Sequence, residues 1–476
     1  MRGSFNTRVK GGLFAALLFT LSAPGVATAA SFPSTPPKPA QAKNFTLPDT
    51  QTFQLDNGLS VTFIPYGSTP KTTLVLQFAT GNADDGETPH ISDLTFELLS
   101  QGTKAASAGE LARRASSMGG QIETSVSMNS SYLSMDVLSE FAQPAAQLMA
   151  ELVTTSTFPK ASLERAVANH WREIQVSQSR PQGQSMQAFY THMYPDHPYG
   201  VVYPTQSALQ KITQEDIIKF ARSQLVAGNA HLYVAGRFDA NALKSKIEDD
   251  FSVMIAGDTD KNTLPMPAVP VPALLKVERP GAVQTTVRLG QRTIPMSDED
   301  YIPLQVTNTL LGGMFSSRIT QNIREDKGYT YSPRSSLYSY KGVSVWFEAA
   351  DIDAPSTGEA LNEIISEIRG VQQTPPPAWE LDGVKNYMSG LFVLRNSSRT
   401  GLISQLISLD VNGLPRSRLT NYISMVNDVD AASVSKVASD YLDLSTMSLV
   451  VVGDPALLEE ELKQVNALPV VTKEDE

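Results

Sequence analysis

Three segments of this chain recur at nearly one spacing. Thr72-Thr73-Leu74-Val75-Leu76 returns as Thr285-Thr286-Val287-Arg288-Leu289, an offset of 213. Ile212-Thr213-Gln214-Glu215-Asp216-Ile217 returns as Val429-Asp430-Ala431-Ala432-Ser433-Val434, an offset of 217. His231-Leu232-Tyr233-Val234-Ala235-Gly236 returns as Ser448-Leu449-Val450-Val451-Val452-Gly453, again at 217. Collinear matches at one offset mark a duplicated unit. They constrain the fold more tightly than length, since 476 residues alone suggest about three domains.

Pro265, Pro267, Pro270 and Pro272 lie between the halves. So many prolines fit neither a helix nor a central strand, so residues 256–274 read as a linker that permits a hinge. The N-terminal domain then spans 45–255 and the C-terminal domain 275–470. Within the first, Asn57-Gly58 predicts a hairpin turn inside Phe53 to Phe63. Leu74, Leu76 and Phe78 alternate as in a half-buried strand, as do Leu133, Met135 and Val137. Ala108, Leu111, Ala112, Ala115 and Met118 share one helical face ended by Gly119-Gly120, and Ala145, Leu148, Met149 and Leu152 mark another helix. Mixed strands and helices give an α+β domain, used twice.

With 41% apolar residues and no cysteine, the chain builds large cores without disulfides and has no thiolate for metal or substrate. The net charge of −11, with no basic cluster to reverse it, argues against nucleic acid. Arg2, Arg8 and Lys10 precede an apolar run from Leu13 to Leu21, then Pro24 and the small residues Ala27-Thr28-Ala29-Ala30. That order predicts a signal peptide over 1–30, cleaved near Ala29 or Ala30, and an exported, periplasmic protein. The run is too short for a transmembrane anchor, and no later segment approaches that length. Residues 31–44 read as an extended Pro-rich leader.

Asp93-Leu94-Thr95-Phe96-Glu97, followed by Leu98-Leu99-Ser100-Gln101-Gly102-Thr103, resembles the zinc helix of the pitrilysin/insulinase peptidases, which reads His-x-x-Glu-His before the same Gly-Thr. Further matching pieces follow in order: Ser117-Met118-Gly119-Gly120, His197-Pro198-Tyr199-Gly200, Leu311 to Arg318, and Ile323 to Tyr331. Together they resemble this family, and mitochondrial processing peptidase within it, from about Phe45 to Val465. The resemblance implies an α/β roll in each half, the two joined by the Pro-rich linker. It also implies a chamber that a second chain of similar size completes.

By the same resemblance, Asp93 and Glu97 stand where the family has histidine ligands, and Phe96 stands at its general-base glutamate. Two histidines at i and i+4 face one way and suit zinc, with a glutamate between them to take the proton of the bound water. Glu173 falls at the third ligand, 76 residues after Glu97, and a supporting glutamate has become Ala166. Three carboxylates at Asp93, Glu97 and Glu173 suit calcium, magnesium or manganese better than zinc. The plainer alternative leaves Asp93 and Glu97 solvated or paired with Arg or Lys. His90 has no second histidine one turn away, and His170, His192, His197 and His231 show no ligand spacing. No catalytic residue or metal ligand is therefore assigned to this chain.

The resemblance also places the family's substrate-binding arginine and tyrosine, seven residues apart, on Arg324 and Tyr331. A guanidinium offers a planar fork of donors to a peptide carbonyl, and a phenol adds one more. The alternatives are an Arg324 paired with Glu325 or Asp326, a merely packed Tyr331, and Tyr329 in the tyrosine role. The implied function is the inactive subunit of an exported heterodimeric zinc metallopeptidase. It binds peptide, while a homologous partner with an intact His-x-x-Glu-His supplies zinc. The competing reading is an inactive peptide-binding clamp or chaperone-like homodimer.

Overall fold

The computed structural model describes Lys43, residues 45–257 and residues 264–465. The expected signal peptide and nearly all of the leader lie outside the described residues. The repeat emerges as two sheets of one design. The first holds β1 (Gln51–Gln54), β2 (Ser60–Pro65), β3 (Lys71–Phe78), β4 (Glu123–Val126), β5 (Ser131–Leu138) and β6 (Ala230–Gly236), in the order β1-β2-β6-β3-β5-β4. The second holds β7 (Leu274–Glu278), β8 (Gln284–Thr293), β9 (Arg334–Tyr340), β10 (Val343–Asp353) and β11 (Ser448–Gly453), in the order β7-β11-β8-β10-β9. Without β1 the two orders superpose, and the pairing senses agree: β2 with β6 and β7 with β11 are parallel, the rest antiparallel.

Local chemistry fixes the ends of these elements. The β1–β2 hairpin turns at Gly58, whose φ of 96° is open to glycine, while the Asn57 amide donates to the carbonyls of Phe251 and Met254 at 2.8 and 3.2 Å. Helix Ala142–Thr155 buries Ala145, Leu148, Met149 and Leu152 under the first sheet, as their spacing predicts. Helix Ala108–Ser117 buries Leu111 and Ala115, while Ala112 faces solvent. The matched segments at 212–217 and 429–434 are both helix starts, capped by Thr213 and Asp430 through the amides of Asp216 and Ser433.

Strand β3 departs from the half-buried expectation. Every residue from Thr72 to Phe78 is buried, because both faces of the sheet are covered. Leu74, Leu76 and Phe78 join the core beneath the N-terminal helices. Val75, with Ile64, Tyr233 and Ala235, packs instead against Leu402, Ile403 and Leu406 of helix Arg399–Val411, which belongs to the second half. The exchange is reciprocal. Helix Pro181–Met193 of the first half lays Phe189 and Met193 on Val345, Phe347, Val450 and Val452 of the second sheet. The two exchanged helices are themselves copies, 218 residues apart.

Polar contacts repeat with them. Arg399 donates to Asp136 and to Thr73 Oγ1, both at 3.0 Å, and Thr73 donates to Asp136 at 2.7 Å. At the equivalent crossing Gln182 donates to Asp351 at 2.9 Å and Thr286 to the same carboxylate at 2.5 Å. The described part of the linker is not loose. His197 Nε2 lies 3.1 Å from the Pro265 carbonyl, and Arg292 donates to that of Pro267 at 2.8 Å. Among the described residues no helix is long and apolar enough to cross a membrane.

A titratable pair sits in one crossing. His231 on β6 lies 2.8 Å from Thr62 Oγ1 and 3.5 Å from Asp410 on helix Arg399–Val411, whose carboxylate also accepts from Tyr233. Burial lowers the His231 imidazole to about 4, outweighing the Asp410 carboxylate that raises it. The folded state thus binds fewer protons here than the unfolded state between the unfolded value of about 6.5 and the folded one. Stability is full above that window and falls as pH drops through it, by about 3 kcal/mol in total. His231→Gln should flatten urea-unfolding stability against pH between about 6.5 and 4 relative to wild type. Parallel profiles for the two proteins would contradict this.

Candidate functional site

The degenerate motif forms helix Ile91–Leu98, starting from His90 in a left-handed conformation (φ 67°). Such a φ is uncommon outside glycine, and Asp85 holds it. Its carboxylate accepts from the amides of His90 at 2.6 Å and Ser92 at 3.1 Å. Burial raises the Asp85 carboxyl to about 7 against these bonds, which lower it.

Phe96 is 1% exposed and meets the Phe78 ring edge-on at 5.8 Å. Phe96, which the resemblance sets at the family's general-base position, is part of the hydrophobic core. Asp93 and Glu97 point the other way, toward helix Lys160–Ser179, while Ala166 on that helix is buried. Desolvation raises the Glu97 carboxyl; the nearby His170 lowers it, and Glu173 and Asp93 raise it. Asp93, Glu97 and Glu173 are thus near enough to influence one another, but among the described residues the group compact enough to hold a metal ion is His90, Asp93 and His170.

The structure gathers what the sequence left scattered. His90 Nδ1 lies 2.9 Å from His170 Nε2 and 3.4 Å from Asp93 Oδ2. The Asn82 amide donates to Asp93 Oδ2 at 2.5 Å. The conclusion that the histidines lack ligand spacing is thus corrected. The i, i+4 criterion looks within one helix, and this pair spans two. The available signal was that His170 precedes Glu173 by three residues, one helical turn, and so shares its face.

In the second half, two segments with i→i+5 character carry the other motif pieces, Thr309–Gly313 and Thr320–Asp326. Such widened turns favour functional positions. At Gly312 a Cβ would come within 2.8 Å of the Ser335 backbone nitrogen and 2.7 Å of Glu348 Oε2, so only glycine lets the two backbones approach. The buried Glu348 carboxyl is pushed well above its ordinary range by desolvation.

Arg324 lies on the second of these segments, its guanidinium carbon 4.5 Å from the centre of the Tyr331 ring and 4.7 Å from that of Phe315. Both rings are open to solvent, at 79% and 62% exposure. The structure thus joins Arg324 to Tyr331, and Tyr331 is not a packed strand residue. Arg324 Nε also pairs with Glu325 at 3.1 Å, so that alternative contact coexists with the stack. Tyr329 is engaged elsewhere, donating to Glu359 at 2.7 Å. Arg318 forms a two-pronged pair with Glu380, both contacts 2.7 Å. His197 is structural, accepting from the Tyr199 amide at 3.2 Å.

Residues 63–202 match the profile described as Insulinase (Peptidase family M16), and residues 211–388 match that of the Peptidase M16 inactive domain. The chain belongs to the pitrilysin/insulinase family of peptidases. A relative from Rickettsia felis, named an uncharacterized zinc protease, is 28% identical over 61% of this chain and 71% of its own length. The crystal structure of a peptidase M16 inactive domain from Pseudomonas fluorescens is 23% identical, with a TM-score of 0.80 over 85% of this chain and 98% of that one. The periplasmic protease PqqL from Escherichia coli is 16% identical, with a TM-score of 0.73 over 90% of this chain and 48% of its own. The two halves are thus family rolls.

The donor set here does not fit a hydrolytic zinc centre of the His-x-x-Glu-His kind. Where the resemblance places the two histidines the chain has the carboxylates Asp93 and Glu97, and where it places the base it has Phe96, an aromatic ring in the core. Restoring the glutamate alone should fail for that reason. Phe96→Glu would bury a carboxylate against Phe78 and lower stability by about 3 kcal/mol or more without producing zinc-dependent peptide cleavage. Urea unfolding checks the first part; a variant within about 1 kcal/mol of wild type would show that Phe96 is not core.

Proposed function

We propose that this chain is the non-catalytic, substrate-binding subunit of an exported heterodimeric zinc metallopeptidase acting on peptides. The observation that carries the reading is the contrast between the two motif sites. Phe96 has left the chemistry for the core, while Arg324 stays in the open between two exposed rings. A guanidinium stacked on aromatic faces is held flat, with its N–H edge free to meet a peptide carbonyl or carboxylate. Among the described residues its ion pair runs through Nε, to Glu325 at 3.1 Å. Tyr331 adds a phenol beside it.

Hydrolysis then belongs to a homologous partner with an intact His-x-x-Glu-His, which carries the zinc. The N-terminal signature and the likeness to a periplasmic protease support export to the periplasm.

Co-purification of the tagged mature chain from its own cells, with mass spectrometry of the eluate, tests the pairing. A homologue with an intact motif is the expected companion. Recovery of the chain alone, with peptide binding but no such homologue, would replace this reading by a peptide clamp or homodimer. For the site itself, Arg324→Ala should weaken binding of a fluorescent unfolded peptide about ten- to hundredfold, the value of a charged hydrogen bond. Unchanged affinity would remove Arg324 from the substrate site.

A further inference from the structure

We propose that His90, Asp93 and His170 form a divalent transition-metal site that ties helix Ile91–Leu98 to helix Lys160–Ser179. This site shares Asp93 with the expected carboxylate set of Asp93, Glu97 and Glu173 but takes its other two donors from His90 and His170. It does not depend on the substrate-binding reading.

Three ligand atoms, His90 Nδ1, His170 Nε2 and a carboxylate oxygen of Asp93, all lie within 4.8 Å of one another. The separations of 2.9 Å between the ring nitrogens and 3.4 Å between His90 Nδ1 and Asp93 Oδ2 are edges of a coordination shell. A metal about 2.0–2.1 Å from each donor subtends angles of about 90–110° across such edges. Two imidazoles and one carboxylate suit zinc, cobalt, nickel or iron, where three carboxylates would suit harder ions.

The support around the donors is that of a built site. Asp85 locks the backbone turn that presents the His90 ring, and Asn82 holds Asp93 by its Oδ2 atom. A cavity of about 520 Å³, lined by Asn82, Asp85 and His90, opens beside them and gives an entry path. Glu97 and Glu173 stand nearby and add negative charge that favours a dication. In the metal-free chain the two rings share one proton in a hydrogen bond. Coordination needs a lone pair on each facing nitrogen, so that proton moves to the outer nitrogen of its ring. With Phe96 in the core, the metal joins two helices and has no glutamate base beside it in the family's position.

The test uses the purified mature chain, stripped with chelator and titrated with Zn²⁺ alone, then with Co²⁺. One Zn²⁺ per chain should bind and raise the thermal midpoint. Co²⁺ should give visible d–d absorption that Zn²⁺ abolishes. His90→Ala and His170→Ala should each weaken Zn²⁺ binding at least about thirtyfold, while Glu173→Gln changes it less than about threefold. Metal-free midpoints of the variants, and the milder His170→Asn, separate lost binding from lost folding. Absence of stoichiometric binding in wild type would overturn the proposal. So would binding that survives His170→Ala but is abolished by Glu173→Gln, which points to the carboxylate set. Peptide affinity is not among these readouts, so failure here leaves the Arg324 assignment to its own test.

Discussion

The reciprocal exchange of two helices is the interaction on which the rest of the molecule depends. A five- or six-stranded sheet with one face open would expose a row of apolar side chains. Here each half lends a helix to cover the other's second face, so Leu402, Ile403 and Leu406 protect Val75, while Phe189 and Met193 protect Val450 and Val452. Neither half covers the second face of its own sheet. Fully burying side chains of this size contributes about 1.5–3 kcal/mol each, so that together they outweigh the few polar contacts at the crossings.

The exchange also positions the chemistry. Helix Lys160–Ser179, which carries His170 and Glu173, ends at Arg180, and Pro181 starts the exchanged helix directly. Its last turn is tied to the second half, where Arg279 donates to the Ser179 carbonyl at 2.9 Å. The face that meets Asp93 is therefore held at both ends, by the first core and by the second sheet. That rigidity fixes where Asp93, His90 and His170 stand, since their position is set by packing. The Arg324 site lies within a different environment, on widened helical turns with exposed aromatic rings, suited to an adaptable partner such as a peptide.

Much of this was legible in the chain, for identifiable reasons. The repeat at 213–217 residues predicted the paired sheets because core strands and capped helix starts keep their spacing: β3 with β8, β6 with β11, Thr213 with Asp430. The seven-residue step from Arg324 to Tyr331 did bring those side chains together. Strand β3 was misread because alternation reports one buried face, and its other cover comes from residues over 300 positions away. The His90–His170 contact was missed because ligand spacing was sought within one helix, and two helices supply it. The left-handed turn that aims His90 leaves no pattern a periodicity could show.

The proposed division of labour leaves binding to this chain and hydrolysis to another. The most direct measurement is turnover of an unfolded peptide by the purified mature chain with added Zn²⁺, repeated after adding the proposed partner, a homologue from the same cells with an intact His-x-x-Glu-His. The account predicts no cleavage by the chain alone and cleavage by the pair that exceeds that of the homologue alone. Zinc-dependent turnover by this chain by itself, abolished by Glu97→Gln, would contradict it.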